Sequence, residues 1–157
     1  MQNRMKNHQL TDNQIANLLA ECTVATVATI NRDGTPYITP IHFVYAEGKI
    51  YFHGLPAGQK LSNIKNNPSV CFNAYSMKGL LYDPDEKPCD TNTEYESVVI
   101  DGKAELVDDI AEKGRILKAV VKKYTPMLTD KDLPENMVKG TAVICITPEK
   151  ITGKYYK

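Results

Sequence analysis

A chain of 157 residues has room for one domain with a real core and little room for two. Nineteen Lys and Arg balance nineteen Asp and Glu, so the broad positive field that non-specific nucleic-acid or acidic-membrane binding needs is absent, although a few residues can still build a local anion site. No apolar run approaches the ~20 residues of a membrane span, and the polar stretch up to Leu10 lacks a signal-peptide core, so cytoplasmic residence is the expectation.

Taken in chain order, residues 11–21 read as a helix. Thr11 is a natural N-cap, Gln14 completes a capping box, and Ile15, Leu18 and Leu19 share one face. Residues 24–30 (VATVATI) are β-branched and read as a strand. The Asn31-Arg32-Asp33-Gly34 turn then returns the chain into a strand over residues 35–45. Pro36 and Pro40 cannot donate ladder hydrogen bonds, which places that strand at an edge or on a bulge. Glu47-Gly48 turns into a third strand, residues 49–53. After the glycine-bounded segment 54–58 comes a short helix, residues 59–66, with Leu61 and Ile64 inward, stopped by Asn67-Pro68. Residues 70–75 form a fourth strand. Gly79, Pro84, Pro88 and several acids make residues 76–93 a long loop. A fifth strand covers 95–106. Asp108 caps a helix to Tyr124 that buries Ile110, Leu117, Val120, Val121 and Tyr124, and residues 125–139 connect through a helical turn. Two last strands, 141–146 and 150–156, meet at Pro148-Glu149. About seven strands joined mostly by tight turns predict a mainly β, antiparallel barrel with peripheral helices, one domain over residues 1–157. The alternation of a parallel α/β sheet is absent, as are GxGxxG and GxxxxGK[ST].

Cys22, Cys71, Cys89 and Cys145 form no CxxC pair, so neither a disulfide framework nor a metal site is expected. Cys71 and Cys145 sit in apolar runs and read as small core residues. Cys89 lies in the irregular loop, where a redox-active thiol and a merely packed or exposed one both stand. The segment that points to chemistry is residues 50–72, IYFHGLPAGQKLSNIKNNPSVCF. A strand ends at His53, a glycine-bounded loop follows, and Lys60 opens a helix. Free N–H groups and the positive dipole end of that helix, the close backbone approach allowed by Gly58, and the Lys60 charge together make a phosphate site. On spacing alone, a solvated Lys60 and a turn glycine explain the segment equally well.

Phe52-His53, Gly58-Gln59-Lys60 and Asn67-Pro68 resemble the flavin-phosphate motif of the FMN-binding split-barrel family related to pyridoxamine 5′-phosphate oxidase. Within it, the chain is most similar to the branch related to 5-nitroimidazole resistance proteins: Cys89 precedes Tyr95-Glu96-Ser97-Val98, with Gly102-Lys103-Ala104 after. Residues 25–29, Asp33-Gly34, residues 36–45 and Ile151-Thr152-Gly153-Lys154 extend the resemblance in order over nearly the whole chain. It implies a Greek-key-type split barrel that pairs as a homodimer with FMN in the interface groove. The strand holding Thr39, Pro40, Ile41, His42, Phe43 and Val44 would run beside the isoalloxazine edge. Lys60, helped by Gln59 and Gly58, would hold the phosphate. His53 would sit near the ribityl-phosphate or the flavin edge, Phe52 beside it would also contact the cofactor, and Ser97 and Val98 would come from the neighbouring strand. His53 is the candidate catalytic residue, its ordinary pKa being near neutral, but binding to the phosphate or flavin edge is the stronger role and a plain interface histidine the simplest. Alternation puts His42 and Val44 on one face, and Ile41 and Phe43 on the other; sequence leaves open which face meets the flavin. His8 is expected in solvent, and Asp83, Asp85 and Glu86 in a solvated acidic turn.

The implied function is an FMN-dependent oxidoreductase passing electrons to a small acceptor such as a nitroimidazole or other nitroaromatic, the flavin carrying the electron chemistry. Three alternatives stand beside it. Pyridoxamine 5′-phosphate oxidation would call for an arginine-bearing C-terminal substrate motif, and this chain ends GKYYK with only Arg4, Arg32 and Arg115. A non-catalytic flavin- or haem-binding module, and a deazaflavin-dependent reductase, are compatible with the same barrel.

Overall fold

The computed structural model describes residues 6–157. The N-terminal helix α1 (Asp12–Glu21) starts at the expected capping box: Gln14 N–H donates to Thr11 Oγ1 at 3.4 Å, and Thr11 N–H donates to Gln14 Oε1 at 2.9 Å. Seven antiparallel strands follow, with α2 (Gln59–Asn66), α3 (Ile110–Tyr124) and α4 (Glu135–Gly140) between them. The strands are β1 (Ala25–Ile30), β2 (Pro36–Ile41), β3 (Phe43–Ala46), β4 (Lys49–Gly54), β5 (Ser69–Leu81), β6 (Asn92–Leu106) and β7 (Ala142–Tyr156). They form one sheet in the order β2-β1-β5-β6-β7-β4-β3. The two edge strands, β2 and β3, are consecutive in the chain and separated by His42 alone. No ladder joins them, so the sheet curls on itself and stays split along that seam.

This seam corrects the single strand expected over residues 35–45. Pro36 and Pro40 do lie on an edge strand. At His42, however, the chain turns a corner and enters the opposite edge of the sheet. The Tyr124 hydroxyl fixes that corner. It accepts from Phe43 N–H at 2.9 Å, and its own proton is shared between the carbonyls of Thr23 at 2.9 Å and Phe43 at 3.1 Å. Burial raises the Tyr124 pKa above its ordinary value, so the phenol stays a donor. His42 stacks on the same ring, with centroids 4.3 Å apart. Lys123 lies beneath, its Nζ donating to Leu19 O at 3.0 Å and standing 3.8 Å from the Phe43 ring centroid; burial pushes its pKa down to about 8.

Three further expectations are corrected. Part of residues 76–93 is strand: β5 and β6 continue as a two-stranded ribbon through residues 76–81 and 92–93, with a register shift between Met77 and Gly79, and the loop is confined to residues 82–91. The two strands expected to meet at Pro148-Glu149 are one strand carrying a bulge. Gly102 pairs with Pro148 and Asp101 with Lys150, leaving Glu149 as the extra residue. A Cβ on Gly102 would lie 2.5 Å from Thr147 O, so glycine is required where the bulge presses on β6. The N-cap of α3 is Asp109, not Asp108, its carboxylate accepting from Glu112 N–H at 2.7 Å. The helix therefore buries Lys113, Ile116 and Val120, while Ile110 is exposed.

The main core lies inside the curl. Leu18 and Leu19 of α1 and Leu61 and Ile64 of α2 pack on Val27, Phe43, Ile50, Phe52, Phe72, Ile100 and Ile144. A second cluster lies on the other side of β3, β4 and β7, where Val44, Tyr51, Val143 and Cys145 meet Ile116 and Val120 of α3. Residues 142–146 are thus buried on both faces, which explains their unbroken apolar run. Cys145 is core as expected. Cys71 is only half-buried, because it stands on the outer face of β5. His8 is not a solvated side chain: it stacks on Tyr156 with centroids 5.4 Å apart.

Replacing Tyr124 by Phe deletes the corner hydroxyl and strands Phe43 N–H. The expected loss is about 1–3 kcal/mol in urea unfolding, with far-UV circular dichroism unchanged. A loss below about 0.5 kcal/mol would remove the hydroxyl from its role as the pin.

Candidate functional site

β4 runs out at Gly54, and a four-residue loop leads into α2. Gly58 sits at φ +136°, a backbone conformation closed to L side chains, and a Cβ there would meet nothing within 4 Å. No side chain caps α2, so its first-turn N–H groups keep their hydrogen-bonding capacity. A pocket of about 230 Å³ opens there between the start of α2, the loop and β2. Gly58, Gln59 and Lys60 form one wall; Tyr37 and Thr39 of β2 form the other; Leu55 and Ile144 supply apolar surface. No carboxylate lines it. Lys60 is half-buried with its Nζ 5.0 Å from the Phe52 ring centroid, it makes no ion pair among the described residues, and burial lowers its pKa. An ammonium beside free amides and away from any carboxylate attracts an anion.

Among the described residues, two buried polar atoms of this region lack hydrogen-bond partners, Thr39 Oγ1 and His53 Nδ1. Thr39 belongs to a residue lining the pocket. His53 does not line it. His53 pairs with Val143, so alternation sets it on the α3 side of β4 with Tyr51. Burial first, then the positive charges of His42 and Lys60, lower its pKa below the ordinary 6.5. His53 is therefore a neutral imidazole at neutral pH.

The sequence-predicted residues divide accordingly. Thr39, Gly58, Gln59 and Lys60 come together at the pocket. Ile41, Phe43 and Phe52 are buried in the main core and Val44 in the cluster under α3, so only their backbone groups can meet a ligand. Pro40 is exposed on β2, and His42 is exposed at the corner. Ser97 and Val98 lie on β6 away from this pocket, Val98 fully buried and Ser97 half-buried opposite Tyr75 and Lys154. Gln59 is not free to hold an anion with its amide nitrogen, because Nε2 donates to Asn31 Oδ1 at 2.9 Å. Sequence reasoning missed Tyr37, Leu55 and Ile144, which only the curl of the sheet brings to α2. It also missed Asn63, 5% exposed, whose signal was a polar residue between the inward Leu61 and Ile64.

Because His53 charges only at a cost, its ring resonances should titrate below pH 6.5 in an NMR titration. The Lys60→Met variant removes a like charge and should raise the midpoint. The depressed pKa contributes stability that is present above 6.5 and is lost as pH falls through the folded-state value. An unmoved midpoint in Lys60→Met would show that the two groups do not interact.

Comparison with known proteins places this geometry in a family. The family profile described as pyridoxamine 5′-phosphate oxidase matches residues 11–155. No curated protein matches the chain. Among solved structures, a candidate 5-nitroimidazole antibiotic resistance protein from Bacteroides thetaiotaomicron superposes with a TM-score of 0.78 at 25% identity, over 93% of this chain and 85% of that one. The FAD and heme binding protein from Mycobacterium smegmatis gives a TM-score of 0.85 at 19% identity, over 96% and 74%. The flavocytochrome Anf3 from Azotobacter vinelandii gives 0.81 at 21%, over 94% and 68%. The last two are alike in fold alone. With its profile match spanning nearly the whole chain and its split antiparallel sheet, this protein belongs to the pyridoxamine 5′-phosphate oxidase family.

Proposed function

We propose that this chain is a flavin-binding redox protein that holds FMN with its phosphate at Gly58–Lys60 and passes electrons to a small acceptor of the nitroaromatic class. The observation that carries the reading is the carboxylate-free pocket joining the uncapped start of α2 and Lys60 to the half-buried wall of Tyr37 and Thr39. Family membership and the candidate 5-nitroimidazole resistance protein among the similar structures support it. At about 230 Å³ the pocket is smaller than the ~300–1,000 Å³ of sites that enclose a drug-sized ligand, which suits a phosphate and its chain more than a whole flavin. The ring would lie along β2, where the Thr39 hydroxyl lacks a partner.

FMN, when bound, supplies reversible electron transfer between an external reductant and the acceptor. The chain supplies the rest. Lys60 and the first amides of α2 hold the phosphate dianion, Gly58 lets the backbone approach it, and Leu55 and Ile144 exclude water. Neutral His53, one layer behind, adds no positive charge to compete for the anion. Oxidation of pyridoxamine 5′-phosphate fits less well, since a second phosphate needs a second anion site and the Arg115 guanidinium is engaged with Glu47 at 3.0 Å.

A second copy of this chain would complete the groove. The outer face of β2, β1, β5 and β6 carries no helix, and Ile38, Tyr75 and Met77 stand 63%, 63% and 56% exposed on it. Such a surface on an open sheet calls for a partner. Sedimentation should give twice the 17.5 kDa chain mass, and Ile38→Asp should give the single mass; a monomeric wild type would remove the dimer.

The flavin reading is tested by titrating ligand-free protein with FMN. One equivalent should bind with a flavin band near the oxidised spectrum, and Lys60→Ala should weaken binding about tenfold or more, the worth of a charge-assisted contact. After anaerobic reduction with dithionite, a nitroimidazole should restore the oxidised spectrum. Absence of FMN binding overturns the reading, a Soret band in the purified protein replaces it with a haem module, and failure with several nitroaromatics removes the acceptor alone.

A further inference from the structure

The two walls of the pocket come from segments that no ladder connects. β2 pairs only with β1, and α2 is a short helix without a side-chain cap. A relay of side-chain amides spans them. Asn63 Nδ2 donates to Asn31 Oδ1 at 2.7 Å and to Thr29 Oγ1 at 3.1 Å. Gln59 Nε2 donates to the same Asn31 oxygen at 2.9 Å. Asn31 Nδ2 donates in turn to Thr35 Oγ1 at 3.0 Å, and the Thr35 hydroxyl donates to Asp33 Oδ1 at 2.6 Å. The Thr29 hydroxyl donates to Tyr37 O at 3.3 Å, reaching β2 itself.

Asn31 is thus the hub between the first turn of α2 and the hairpin that carries Tyr37 and Thr39. A buried amide is costly unless its groups are paired. The side-chain nitrogen of buried Asn63 finds both its partners on β1 and the turn that follows it, so the helix has one well-paired position against β2. The bonds also account for Gln59, whose amide nitrogen is turned toward Asn31 and away from the anion.

We propose that Asn31 and Asn63 are positioning residues that set the anion-binding turn, residues 58–60, at a fixed distance from β2, so that one ligand can place its phosphate on the first wall and its ring on the second. The inference rests on the flavin reading for the identity of the ligand and on the amide relay for the coupling of the walls.

Asn31→Ala is the informative variant. The turn keeps its backbone bonds from Asn31 N to Thr35 O and from Gly34 N to Asn31 O, both 2.9 Å, so the hairpin still forms. Affinities for FMN and for riboflavin are measured on wild type and variant. Riboflavin lacks the phosphate, so the ratio of its Kd to that of FMN isolates the anion contact. In Asn31→Ala the ratio should fall about fivefold to tenfold while riboflavin affinity stays within about twofold, the scale expected when one or two hydrogen bonds no longer hold the turn. Equal weakening of both ligands, or an unchanged ratio, overturns the proposal. Hydrogen exchange on ligand-free protein gives a second readout. The Ser62 amide, bonded to Gly58 O at 3.0 Å, should exchange faster in the variant while the amides of β5 and β6 do not change; unaltered Ser62 exchange overturns the coupling. Should wild type bind neither flavin, the flavin reading fails, and the exchange result alone decides whether the relay joins the walls.

Discussion

One hydroxyl pins the corner at which the sheet splits. Between Ile41 and Phe43 the chain leaves one edge of the sheet and enters the other, and His42 is the whole connection. A corner that tight leaves the Phe43 N–H without a ladder partner from β2. The Tyr124 phenol takes that N–H and returns its proton to the carbonyls on either side of the seam. Because Tyr124 ends α3, the corner, the helix and the segment leading into β1 at Thr23 are held together. With β2 folded back over β4, Tyr37 and Thr39 come within one pocket of Lys60. Without that fold the anion turn would face open solvent.

The same corner explains an unusual lysine. Lys123 is held under the seam by the Leu19 carbonyl and the Phe43 ring, at the carbonyl end of α1, where cations are favoured. Burial nevertheless lowers its pKa to about 8, so desolvation outweighs those contacts. The position therefore serves geometry at a cost in stability. Its length lets α3 reach across to the end of α1 while the apolar part of the side chain covers the core.

Local chemistry made some elements legible in the sequence. The Thr11–Gln14 capping box set α1, Gly58 and Asn67-Pro68 bracketed α2 at its observed limits, and Asp33-Gly34 set the first hairpin. Each signal acts within four or five residues. The errors came where the deciding partner is remote. Nothing within residues 35–45 announces a corner, since its pin is Tyr124. Pro148 looks like a turn until Gly102, across the ladder, is seen to make room for a bulge. Proline, glycine and acids in residues 76–93 suggest a loop, yet Met77 and Leu80 keep a pairing with β6 that has one residue slipped out of register. The candidate site followed the same rule. Its Gly58–Lys60 wall is contiguous in sequence and was read there; of the second wall only Thr39 was named, through the family resemblance, while Tyr37 and the Asn31–Asn63 relay are assembled by the curl.

This division bears on how the site can vary among relatives that share the fold. On the proposed reading the anion wall is made by backbone and one charge: a positive-φ glycine, an uncapped helix and one lysine would suit any ligand ending in a phosphate. Such a wall would confer affinity for a class and little choice within it. Choice has to come from what the curl brings opposite, here a phenol, a hydroxyl and two aliphatic side chains, and from whatever covers the exposed face of β2. On the proposed reading, choice among phosphate-bearing ligands would be set on β2 and at the Asn31 relay, while the Gly58–Lys60 turn would set only where the phosphate sits.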